Sequence, residues 1–116
     1  MTIFNYLKLA KEAAEIAEDK KCSDVVVMNI KKLTAIADYF VVATAESSPQ
    51  RTAVVNTIEK TFKENGGPEI IHREGRASQS WSIIDYGGLI IHIMSPQARN
   101  YFALEKIWAK TNKSDS

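Results

Sequence analysis

Apolar residues recur along the chain at two spacings, and each change of spacing marks a new element. From Ile3 to about Lys20, Phe4, Leu7, Ala10, Ala14 and Ala17 return at helical intervals with Lys and Glu between them. That stripe is thin and Ala-rich, so it predicts a helix lying against a sheet. "SDVVVMNI" (Ser23–Ile30) is a short β-branched run of the kind buried on both faces of a sheet, and "ADYFVVATA" (Ala37–Ala45) is a second. The intervening "KKLTAIAD" is too short for a helical crossover, which predicts antiparallel neighbours. Ser48 before Pro49 reads as a helix cap followed by a proline-tolerant first turn. Val54, Val55, Ile58 and Phe62 form that helix's stripe, and Gly66-Gly67 ends it. "EIIHREG" carries too much charge for a central strand and predicts a short edge strand. Two more strands flank Gly87-Gly88, and Ser95-Pro96 opens a last helix with Tyr101, Leu104 and Trp108 on one face. The expected order is α-β-β-α-β-β-β-α. It describes one α/β domain over residues 1–110, a mixed sheet of about five strands flanked by helices, followed by a polar tail at 111–116.

The hairpin "SWSIIDYGGLIIHIM" has an unusual composition for a sheet. A two-residue turn at the paired glycines sets Tyr86 opposite Leu89, Asp85 opposite Ile90, Ile83 opposite His92 and Trp81 opposite Met94. Opposed residues share a face. One face then carries Ile84, Tyr86, Leu89, Ile91 and Ile93, an ordinary core. The other carries Trp81, Ile83, Asp85, Ile90, His92 and Met94, the mixture found at protein-binding surfaces. A structural alternative stands beside it, with Trp81 packed under a helix and His92 hydrogen-bonded to Asp85.

Composition narrows the possible chemistry. Of 116 residues, 15 are basic and 14 acidic, giving a formal charge of +1, which argues against a protein that coats nucleic acid. A single cysteine, Cys22, excludes an internal disulfide, and the two histidines, His72 and His92, lie in no zinc-binding spacing. The N-terminal segment lacks a signal-peptide core and no run has membrane-spanning length. A cytoplasmic protein without cofactor, metal, DNA or membrane partner is expected.

The residues argue against two catalytic readings. Ser47 or Ser48 with His92 and Asp85 lacks a G-x-S-x-G elbow. A nucleotidyltransferase needs paired carboxylates for magnesium, and Asp85 has no acidic neighbour one or two residues away, while Glu46 would repel phosphate. The expectation is a non-enzyme, with a nucleotide-binding or nucleotidyltransferase-like enzyme as the alternative.

"ADYFVVATAESSPQ", "REG", "SWSIIDYGGLIIHIM" and "ARNYFALEKIW" together resemble the ribosomal silencing factors, or Iojap-like family. The matching residues are Asp38, Phe40, Thr44, Ser47, Glu74, Gly75, Trp81, Asp85, Gly87, His92, Arg99, Leu104, Glu105 and Trp108. Ala45, Gln50, Gly88 and Phe102 depart from the family's usual Gly, His, Asp and Tyr. The resemblance implies a nucleotidyltransferase-like fold without the catalytic carboxylates. It implies binding to the large ribosomal subunit through ribosomal protein L-fourteen, which blocks joining of the small subunit and represses translation. Homodimers are also implied. On this expectation Trp81 anchors the contact, Asp85 and His92 orient it, and Tyr86 and Met94 widen it.

Overall fold

A computed structural model of the chain describes residues 4–75 and 80–102. The order of elements is α1 (Tyr6–Asp19), β1 (Ser23–Asn29), β2 (Tyr39–Thr44), α2 (Ser48–Glu64), β3 (His72–Glu74), β4 (Trp81–Asp85), β5 (Leu89–Met94) and α3 (Pro96–Phe102). The expected helical positions Leu104 and Trp108 lie outside the described residues.

The five strands form one sheet in the order β1-β2-β5-β4-β3. β1 and β2 are antiparallel, as their short connector requires, and β4 pairs antiparallel with both β3 and β5. Among the described residues the only parallel pairing is β2 with β5, where Tyr39 meets Leu89 and Thr44 meets Met94. The chain between them supplies α2, β3 and β4, long enough to return in the same direction.

α1 and α2 cover one face. Ala10, Ala13 and Ala17 of α1 and Val54, Val55, Ile58 and Phe62 of α2 pack on Val41, Ala43, Ile84, Leu89, Ile91 and Ile93. Small alanines let the α1 backbone approach the sheet closely, and Leu7, expected on this stripe, is instead on the exposed side. α1 begins later than expected, capped by the Asn5 side chain, which accepts from the Lys8 N–H at 3.0 Å. For α2 the cap is Ser47 rather than Ser48. Ser47 has extended backbone and accepts from the Gln50 N–H, which places Ser48 and Pro49 inside the first turn.

The opposite face holds a second cluster, Met28, Ile30, Ala37, Val42, Ile90 and Met94, with Ala98 of α3 beside it. β1 was expected to be buried on both faces. It is an edge strand of the sheet with its first residues exposed, because among the described residues nothing pairs beyond it. Two buried arginines fix the loops at the ends of β2 and β5. Arg51 Nη1 donates to the Ala45 carbonyl at 2.8 Å, and Arg99 Nη1 donates to Thr44 Oγ1 at 3.0 Å. Ser95 accepts from the Ala98 N–H at 3.1 Å, the cap expected before α3.

Candidate functional site

The face away from α1 and α2 carries Trp81, Ile83 and Asp85 of β4 and Ile90, His92 and Met94 of β5. The register matches the one read from the Gly-Gly turn: Trp81 pairs with Met94, Ile83 with His92 and Asp85 with Ile90. Two glycines make this arrangement possible. Gly75, at φ 71°, lies so close to the Trp81 carbonyl that a Cβ would overlap it. Gly88, where the family usually has aspartate, is covered by the Tyr6 ring, which occupies the space a Cβ would need.

Trp81 is half-buried, so no helix of the described residues seals it. Its Nε1–H donates to His92 Nδ1 at 3.0 Å. His92 is only 5% exposed, and burial lowers its pKa to about 4, which keeps the imidazole neutral at pH 7. With Nδ1 accepting, the ring proton sits on Nε2. Phe40 of β2 packs edge-on against the same imidazole, with ring centroids 4.5 Å apart, and the indole lies at 5.7 Å. The result is a row of three rings, Trp81, His92 and Phe40, running across β4, β5 and β2.

Asp85 does not orient His92. Its Oδ1 accepts from the Gly87 N–H at 2.8 Å and holds the turn instead, while the carboxylate stays half-exposed at the rim. Two expected contact residues offer no surface. Met94 is fully covered, because Trp81 opposite it, Val42 and Ala98 enclose it. Tyr86 points to the helix-packed face, 2% exposed and packed at a tilt against Phe62, with ring centroids 5.1 Å apart. Phe40 and Ile83 are the residues not singled out as contacts from sequence; both are half-buried members of the same face. Phe40 stands in one of the motifs that carry the resemblance, but its place beside His92 depends on the parallel β2–β5 pairing.

Cys22 is half-buried, and burial raises its thiol to about 11, which leaves it protonated and unreactive at neutral pH. Among the described residues no group of His, Cys, Asp or Glu is placed to hold a metal, and no helix is long and apolar enough to cross a membrane.

Fold and site together define a small α/β domain with one face of its sheet backed by helices and the other presenting a fixed indole. A family model described as "Ribosomal silencing factor during starvation" matches residues 4–116, and the chain belongs to that family. A ribosomal silencing factor of Chromobacterium violaceum is 34% identical over 101 residues, covering 87% of this chain and 82% of that protein. One from Bacillus subtilis is 28% identical over 111 residues, covering 96% and 93%. Among solved structures, a Chromobacterium violaceum protein superposes with a TM-score of 0.83 at 32% identity, covering 91% of this chain and 88% of its own.

Proposed function

We propose that this protein represses translation by docking on the large ribosomal subunit through ribosomal protein L-fourteen, where it excludes the small subunit. The observation that carries this reading is the half-exposed Trp81, latched to a buried neutral imidazole on a face otherwise packed with apolar side chains. A large rigid ring held in one orientation loses little entropy on binding and is the usual kind of interface anchor. Ile83 and Phe40 widen the apolar patch, Asp85 supplies a charged rim, and His92 positions the indole without touching the partner. Relatives bearing the silencing-factor name support the same reading. No bond is made or broken: silencing follows from occupancy, so affinity sets its strength.

The test is co-sedimentation with purified large subunits, followed by addition of small subunits. The protein should pellet with the large subunit and reduce joining in proportion to occupancy. Unhindered joining at full occupancy would refute the exclusion mechanism, and failure to pellet would refute the docking site.

A further inference from the structure

The two edges of the sheet are built differently. β3 closes one side with three residues, His72, Arg73 and Glu74, all exposed and all polar or charged, a short edge that discourages strand addition. β1 closes the other with seven residues, and Val25, Val26, Val27 and Met28 follow one another without a charge or a proline. The three valines are half-buried, and among the described residues no strand pairs with β1 on its outer side. Runs of this composition suit a strand with a neighbour on each side. β1 has one.

Backbone direction shows what this edge offers. The Tyr39 N–H donates to the Gly88 carbonyl at 3.1 Å, so Tyr39 turns toward β5 and the next residue, Phe40, toward β1. Phe40 lies opposite Met28, and Val42 opposite Val26, so Met28 and Val26 turn their backbone groups inward to β2. Val27, between them, turns its N–H and its carbonyl outward. The irregular part of the strand lies before it: the register shifts between Ser23 and Val26, and Asp24 sits at φ 49°. Val27 is past the bulge, in the regular ladder.

We propose that a second copy of this chain adds to β1 in the reverse direction, joining two five-stranded sheets into one. Centred on Val27, the two Val27 residues exchange both N–H···O bonds across a two-fold axis, and Val26 falls opposite Met28 of the partner subunit. Residues 23–31 carry one charge of each sign, Asp24 near one end and Lys31 at the other. Reversal brings Asp24 of each chain beside Lys31 of the partner subunit, whereas parallel pairing would align like charges. The strand is therefore complementary to itself. Opposed residues share a face, so both Trp81 faces look out on the same side. Trp81 lies three strands in from the junction, roughly 14 Å at the usual strand spacing, so this contact leaves it uncovered. The inference does not depend on the proposed ribosome contact. One strand from each chain makes a small interface, which sets a dissociation constant on the order of 10 µM or weaker.

Sedimentation equilibrium of the full chain between about 1 µM and 1 mM tests the assembly. The weight-average mass should climb from that of one chain toward that of two. Amide hydrogen exchange locates the contact: the Val27 N–H should exchange readily in dilute solution and become protected as the dimer forms. Val27→Pro removes the central donor of both chains while sparing the ladder to β2, so it should weaken the dimer about tenfold or more. Lys31→Glu sets a second carboxylate beside Asp24 at both ends of the contact and should also weaken the dimer about tenfold. Adding Asp24→Asn, which keeps a side chain that tolerates left-handed backbone, should restore most of that loss. Circular dichroism should show the variants folded. A chain that stays monomeric at about 1 mM, a dimer whose Val27 amide exchanges as fast as the monomer's, or a Lys31→Glu dimer as tight as the unaltered one overturns the inference.

Discussion

At the scale of single residues, the structure separates side chains that share a face but differ in role. Trp81 is half-exposed while the His92 behind it is buried, and Trp81→Ala should weaken large-subunit binding by about 2 kcal/mol or more with the fold retained, measured by co-sedimentation and circular dichroism. Unchanged binding would remove it as the anchor. His92 acts beneath it. Its folded pKa of about 4 lies below the ordinary 6.5, so between those values the unfolded chain binds the extra proton. Stability from this residue is therefore complete above about pH 6.5 and is lost as pH falls toward 4. At about 1.4 kcal/mol per pH unit the loss is on the order of 3 kcal/mol, and denaturant unfolding of His92→Gln should show a flatter pH profile over that window. Gly88→Asp, which restores the usual family residue, should lower stability by about 1–3 kcal/mol because the Tyr6 ring must move. Adding Tyr6→Ala should recover part of the strain, measurable as non-additivity in a double-mutant cycle.

At the scale of elements, the hairpin was legible from sequence and its surroundings were not. The Gly87-Gly88 turn fixed the β4–β5 register, and with it both face assignments, because the side-chain period is two. Burial on those faces was not legible. Met94 and His92 are covered by residues from β2 and α3, and the β2–β5 pairing joins segments that are distant in the chain. Ser47 rather than Ser48 caps α2, a choice between adjacent serines that depends on where the backbone leaves the extended region. β1 carries the β-branched composition of a central strand yet lies at the edge, since composition does not specify neighbours. The "EG" of the family pattern has a clear element-scale reason: Gly75 closes the β3–β4 junction against the Trp81 backbone. Gly75→Ala should cost about 2 kcal/mol or more from the left-handed backbone and the overlap. It should also weaken ribosome binding by displacing Trp81, and a variant with unchanged stability would show that the junction is looser than described.

At the scale of the molecule, near-neutral charge distinguishes modes of ribosome recognition. Lysines are spread over α1, α2 and the loops beside comparable numbers of acids, and the Trp81 face is chiefly apolar. Binding through a protein contact should therefore fall only slightly between about 50 and 200 mM salt, whereas several phosphate contacts would lower it by orders of magnitude. A steep salt slope would relocate the main contact to ribosomal RNA.

The ring row also has a bearing on timing during synthesis. Phe40 comes from the first half of the chain, while His92 and Trp81 come from the last third, and β2 meets β5 through the parallel pairing that runs from Tyr39–Leu89 to Thr44–Met94. A polypeptide still leaving the exit tunnel holds Phe40 without its two companions. The proposed docking surface would therefore come into being late in translation, and on that proposal a nascent copy has little means of arresting the ribosome that is making it.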